Sequence, residues 1–234
     1  MSTLSPFAPA TALCALLAIA SAPWALDAPW LNFVFKPLTT ILIITYALGR
    51  GEPGTAYRRA VLAGLVFSLG GDVALMWPQQ GFLPGLVSFL IAHLCYLAAF
   101  TRGARLAARP AFFAGYAVVA AAILTLLWPG VPAPLRIPVL AYVVALGGMA
   151  AQAAVRWRVQ REAAQPVSRG WADAAGAARD AGVAALGAGL FMASDAILAA
   201  NKFLAPVPAS ALWILALYWS AQWLIASSLP ARRA

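Results

Sequence analysis

Acidic residues are scarce in this chain: seven Asp and Glu among 234 residues, against sixteen Lys and Arg, with a single histidine and two cysteines. Cys14 and Cys95 lie in different apolar segments with no metal-ligand spacing around them. Neither a disulfide framework nor a zinc site is therefore indicated, and packing is the role expected of both. The sequence also has no G-x-S-x-G nucleophile elbow and no phosphate-cradling P-loop, which removes elbow-type ester hydrolysis and P-loop nucleotide chemistry. Only 10% of the chain is charged while 63% is hydrophobic, at a mean hydropathy of +0.83. A soluble domain is about 45–50% apolar, so this composition is that of a polytopic membrane protein.

Against the roughly 20 residues needed to cross a bilayer, the apolar runs predict an all-α bundle of eight transmembrane helices. They lie near residues 10–26, 31–48, 60–77, 82–100, 111–128, 135–155, 180–200 and 209–229, in a single domain over 1–234. The breaks carry turn chemistry, as in GRGEPG, WPQQG and WPGVPAP. The ASA at 20–22 resembles a signal cleavage site, but MSTLSPFAPA lacks a basic leader, so the first helix is expected to be retained.

Charge placement orients the bundle. Arg50, Arg58 and Arg59 follow the second run, and Arg102, Arg105 and Arg109 the fourth. Arg156, Arg158, Arg161, Arg169 and Arg179 follow the sixth, and Arg232 and Arg233 the eighth. Each cluster follows an even-numbered helix, so the positive-inside rule places both termini in the cytoplasm. The formal charge of +9 then reports topology and contact with anionic membrane lipids, not nucleic-acid binding. Fourteen Arg against two Lys, with heavy Ala usage, suggest a GC-rich bacterial genome and hence the cytoplasmic (inner) membrane.

This orientation assigns a depth to the few polar groups inside the runs. Asp72 falls in the outer half of the third helix and Asp195 at a similar level in the seventh, with Asn201 and Lys202 just beyond it. Lys36 falls in the outer part of the second. His93 lies near mid-depth in the fourth, with Tyr96 on the same face; Tyr218 and Gln222 share a face of the eighth. Ionisable groups in hydrocarbon cost at least about 2.5 to 3.5 kcal/mol each and normally face a partner or a water-filled cavity. Two uses compete for them: a common site, or buried Asp–Lys pairs that only fix packing. Tyr142 is a weaker signal of the same kind. No metal-ligand spacing links the carboxylates to His93, so no metal or other cofactor is expected.

The two Asp-bearing runs resemble each other. LGGDVAL aligns with MASDAIL, each followed by a helix with an inward polar stripe, HLCY in one case and YWSAQ in the other. A weak four-plus-four internal repeat fits. Small residues flank both carboxylates, Gly70 and Gly71 in one run and Ala193 and Ser194 in the other, and would let the helices approach closely.

KP in the second helix, GGD followed by GLVSFLIAHLCY, then GAGLFMASDAILAANKF and YWSAQWLIASS, together resemble the YhhN-type membrane proteins, the family that contains the lysoplasmalogenases. The likeness covers residues 30–229. It implies a membrane hydrolase that cleaves the vinyl ether of a lysophospholipid substrate, releasing a fatty aldehyde and glycerophosphoethanolamine or glycerophosphocholine. That chemistry requires protonation of the alkene carbon and a carboxylate to stabilise the resulting oxocarbenium ion and activate water, as paired carboxylates do in glycoside hydrolysis. Asp72 and Asp195 are the expected acid and base, in an order the sequence leaves open, with His93 assisting. Lys36 and Lys202 are expected to hold the phosphate, and Tyr96, Tyr218, Gln222 and Asn201 to line the substrate site. A proton-coupled transporter or a non-catalytic lipid-binding bundle would use the same groups. No protein partner is called for.

Overall fold

The computed structural model describes residues 7–22, 25–77, 79–164 and 171–231; Arg169, Arg232 and Arg233 of the predicted basic clusters lie outside these, as do both chain ends. Eight α-helices follow in order: α1 (Phe7–Ala20), α2 (Pro29–Leu48), α3 (Ala56–Ala74), α4 (Phe82–Phe100), α5 (Pro110–Leu127), α6 (Arg136–Ala163), α7 (Trp171–Phe203) and α8 (Ser210–Ser227). Two short 3₁₀ turns, Trp128–Gly130 and Ala133–Leu135, join α5 to α6. Among the described residues no strand is present beyond an isolated bridge between Arg50 and Ala231.

Local chemistry explains several boundaries. Pro29 and Pro110 open α2 and α5, where proline's missing N–H costs nothing. The Thr55 side chain accepts from the Arg58 N–H and caps α3. Pro37 sits inside α2 and withholds the N–H that would have met the Phe33 carbonyl. The long helices overrun the apolar windows: α6 continues through Arg156, Arg158 and Arg161, and α7 begins well before residue 180. Helix geometry does not end where hydropathy does, and Arg158 bonds Glu162 four residues on.

Among the described residues five helical stretches are long and apolar enough to cross a membrane: Pro29–Leu48, Phe82–Phe100, Pro110–Gly130, Ala133–Ala163 and Asp173–Phe203. Helix α3 is of comparable length but carries Arg58, Arg59 and Asp72, and α8 carries Gln222 among its aromatic residues. Apolar side chains such as Val118, Leu126 and Val144 point outward, the arrangement expected of a surface solvated by lipid tails. The chain is an integral membrane protein.

The most extensive interfaces pair α3 with α4 and α7 with α8; α6 packs on both α4 and α7, while α5 lies outside against α6. Glycines set the closest approaches. The Tyr96 and Phe89 rings of α4 lie on Gly64 and Gly71 of α3 so closely that a Cβ would not fit. On the other pair, a Cβ at Gly187 would come within 2.9 Å of the Ala221 carbonyl.

The arginine-bearing breaks gather at one end of the bundle. Arg50 donates to the Leu229 and Ser227 carbonyls at 2.8 and 3.0 Å, tying the end of α2 to the end of α8. Arg156 of α6 donates to the Arg102 carbonyl after α4 and to the Tyr57 hydroxyl of α3. Gln152, fully buried, holds the same α4–α5 loop. Its amide nitrogen lies 3.3 Å from the Phe100, Ala104 and Arg105 carbonyls, and its Oε1 accepts from the Ala107 N–H at 3.1 Å. Gln152→Leu strands those groups and is expected to cost about 1–3 kcal/mol. The cost should appear as a lower thermal unfolding midpoint in detergent.

Candidate active site

At the opposite end of the bundle from the arginine cluster, α2, α3, α7 and α8 enclose a polar cavity of about 230 Å³. Lys36, Asp72, Asp195, Asn201, Lys202 and Tyr218 all line it, with Phe82 and Phe89 of α4 contributing apolar wall. Six of the nine residues expected at the site from sequence are thus brought to one space.

Asp72 is 1% exposed and is gripped from two other helices. Thr40 of α2 donates to its Oδ2 at 2.6 Å, and Tyr218 of α8 donates to the same oxygen at 2.7 Å. Thr40 is oriented in turn by the Trp219 indole N–H, 3.3 Å from its hydroxyl. Both hydroxyls thus donate to a single carboxyl oxygen, which has two lone pairs to receive them. Lys36 is itself buried, and no carboxylate lies within 4.0 Å of it among the described residues. Asp72 and Lys36 therefore share the cavity without closing on each other as a direct pair.

Asp195 has a different setting. Its Oδ2 accepts one hydrogen bond, from Tyr142 of α6 at 2.6 Å, and the His93 Nε2 stands 3.9 Å away, beyond hydrogen-bond reach. His93 is fully buried, edge-on to the Tyr142 and Phe191 rings at 5.0 and 4.7 Å between centroids, and neither ring nitrogen has a hydrogen-bond partner among the described residues. It belongs to the wall behind Asp195, not to the cavity lining.

Asp195 also borders a second cavity, of about 100 Å³, enclosed by α4, α5, α6 and α7 and almost wholly apolar. Leu75, Phe82, Phe89, Asp195 and Leu198 line both spaces. The two cavities therefore meet at a carboxylate.

The remaining expected residues take other places. Tyr96 donates to the Gln222 Oε1 at 2.7 Å in a fully buried pair that lines neither cavity. Asn201, besides lining the cavity, accepts from the Val207 N–H at 2.9 Å and so fixes the α7–α8 connection. Lys202 is exposed at the mouth, its ammonium 4.9 Å from the Phe82 ring centroid, within cation–π range. Thr40 and Tyr142, not among the expected site residues, join Tyr218 as direct partners of the two carboxylates.

The sequence model of the YhhN family matches residues 31–229. The chain belongs to the YhhN family. Similar YhhN-type relatives include the lysoplasmalogenase TMEM86A of Bos taurus, 30% identical over 96% of this chain and 87% of its own length. The lysoplasmalogenase TMEM86B of Sus scrofa is 31% identical over 85% of this chain and 75% of its own. A lysoplasmalogenase of Mycobacterium tuberculosis is 35% identical over 49% of this chain and 46% of its own length. No solved structure gives a significant match.

Within this YhhN chain the wall common to both cavities depends on Phe89, whose ring rests on Gly71. Gly71→Ala is expected to displace it and to cost about 1–3 kcal/mol by overpacking. Gly189→Ala, where a Cβ meets nothing within 4 Å, should leave the unfolding midpoint in detergent unchanged or slightly raised.

Proposed function

We propose that the protein is a lysoplasmalogenase, hydrolysing the vinyl-ether bond of lysoplasmalogens within the membrane. The observation that carries this is the junction: a polar cavity bearing two lysines meets an apolar one at Asp195. A lysoplasmalogen has the same order of parts. Its phosphate headgroup suits Lys36 and Lys202, its alkenyl chain suits the apolar space, and the vinyl ether between them falls at the carboxylates.

Asp195 is the general acid. It borders the apolar cavity, has a single hydroxyl partner, and in its protonated form transfers its proton to the alkene carbon remote from the ether oxygen. The resulting oxocarbenium ion is stabilised by Asp72, which Thr40 and Tyr218 hold as a carboxylate. Asp72 takes a proton from the water that adds to the cationic carbon. The hemiacetal so formed collapses as its hydroxyl loses a proton to form the carbonyl and the bond to the glycerol oxygen breaks, that oxygen taking up a proton, giving a fatty aldehyde and the glycerophospho-alcohol. One water is consumed, and the proton lent by Asp195 is restored from the one Asp72 received. Each carboxylate acts in the transition state, so acid–base catalysis worth about 10²–10⁴ in rate is at stake. Tyr142 and His93 position Asp195. Tyr96 and Gln222 support the α4–α8 contact beneath Tyr218.

The proposal extends to topology: eight spans in one domain, both termini on the cytoplasmic side of a bacterial inner membrane, and the site opening toward the outer leaflet. The arginine cluster at the far end supports that orientation through the positive-inside rule. The matched α3–α4 and α7–α8 pairs, each bearing one Asp, support a four-plus-four repeat.

Purified protein incubated with a lysoplasmalogen should release fatty aldehyde, and with an ordinary acyl lysophospholipid should release no fatty acid. The reverse pattern would overturn the assignment. Asp195→Asn and Asp72→Asn are each expected to lower kcat by about 10²–10⁴ while the protein remains folded; normal turnover in both would exclude the mechanism. Lys36→Met should raise KM more than it lowers kcat, since the phosphate is bound alike in ground and transition states.

A further inference from the structure

The apolar cavity has a floor, and a glycine forms part of it. Along α6 the cavity is lined from Val139 near the outer end, past Tyr142, down to Gly147. Gly147 lies about 7.5 Å below Tyr142 along the helix axis at the usual rise per residue. Ala120 of α5 faces Gly147 from across the seam and lines the same cavity.

A glycine in a helix interior destabilises the helix relative to alanine, so its presence calls for a cause. Close backbone approach is the usual one, and it operates at Gly64, Gly71 and Gly187, where an added Cβ has no room. Gly147 is different. A Cβ there would meet only the Ala120 Cβ, at 3.9 Å, an ordinary contact. Packing does not exclude a side chain at Gly147; what a side chain would fill is the cavity. Both residues are the smallest available on their walls, whereas Leu124, Leu146 and Met192 around them are large.

Resting on the lysoplasmalogenase assignment above, we propose that Gly147 and Ala120 form the floor of a slot along the α5–α6 seam in which the distal part of the alkenyl chain lies, and that their small size sets the longest chain the enzyme accepts. A chain anchored at Asp195 beside Tyr142 reaches this level after about six methylenes, and a longer one must lie against the two residues, where a larger side chain would take its place. Helix α5 packs chiefly on α6, so the slot lies beneath a helix with few other attachments.

The test compares wild type, Gly147→Leu, Ala120→Leu and Gly148→Leu in lipid nanodiscs. Gly148 is the control, because it lines neither cavity and a Cβ there meets nothing within 4 Å. Two readings are taken for each: aldehyde release from lysoplasmalogens with octenyl and hexadecenyl chains, and binding of octyl and hexadecyl ether lysolipids, which carry no vinyl bond, by intrinsic tryptophan fluorescence. In Gly147→Leu and Ala120→Leu the long-to-short ratio should fall by about tenfold or more in both readings, the scale on which apolar pockets discriminate methylenes. The octenyl substrate and Gly148→Leu should behave as wild type. An unchanged ratio in both variants, or an equal fall in Gly148→Leu, would overturn the proposal. Should the leucine variants fail to fold, Gly147→Ala decides: a smaller shift in the same direction supports the slot, and no shift overturns it. A shifted binding ratio with no aldehyde from any protein would leave the slot standing and refute vinyl-ether hydrolysis.

Discussion

A single carboxylate oxygen, Asp72 Oδ2, joins three helices. It receives the Thr40 hydroxyl of α2 and the Tyr218 hydroxyl of α8 while belonging to α3. In an apolar medium a charged oxygen must be satisfied by protein groups, and here the satisfaction fixes the register of α2, α3 and α8 around the polar cavity. Trp219 extends the constraint by orienting Thr40. Aromatic packing then builds outward from Tyr218 through Phe89 and Phe191 to His93 and Tyr142. Tyr142 in turn holds Asp195. The second carboxylate is thereby placed relative to the first by a continuous chain of contacts through α8, α4, α7 and α6.

The division of space follows from which helices carry polar groups. Lys36, Asp72 and Tyr218 come from α2, α3 and α8, whereas α5 and the first half of α6 contribute only apolar side chains and Tyr142 to their cavity. One side of Asp195 is therefore polar and cationic, the other apolar. Under the proposed function that contrast orients the amphiphile, whose chain gains by burial and whose phosphate gains by charge-assisted hydrogen bonds.

Much of the site was legible because hydrocarbon makes ionisable groups conspicuous. Asp72, Asp195, Lys36 and Lys202 stand out from apolar runs, and charge topology places them at one depth. The hydroxyls that serve them do not stand out. Thr40 looks no different from Thr39 or Thr45, whose hydroxyls simply return to the carbonyls four residues back, and only three-dimensional packing shows that Thr40 faces Asp72. Tyr142 was one tyrosine among several. Tyr96 and Gln222 are the converse case, polar and on inward faces, yet bonded to each other at 2.7 Å away from both cavities. The all-helical, apolar architecture was readable from hydropathy, but the helix ends were not: α6 and α7 run on through arginine-bearing turns where a helix persists after its apolar face has ended.

The central claim is that a carboxylic acid in this site protonates a vinyl-ether carbon. The direct measurement is hydrolysis of a lysoplasmalogen in deuterium oxide, with mass-spectrometric and chiral analysis of the aldehyde. The account predicts one deuterium on the carbon next to the carbonyl, in a single stereochemical configuration, because a fixed acid delivers it to one face. Aldehyde without deuterium at that carbon, or with the label in both configurations equally, would contradict it.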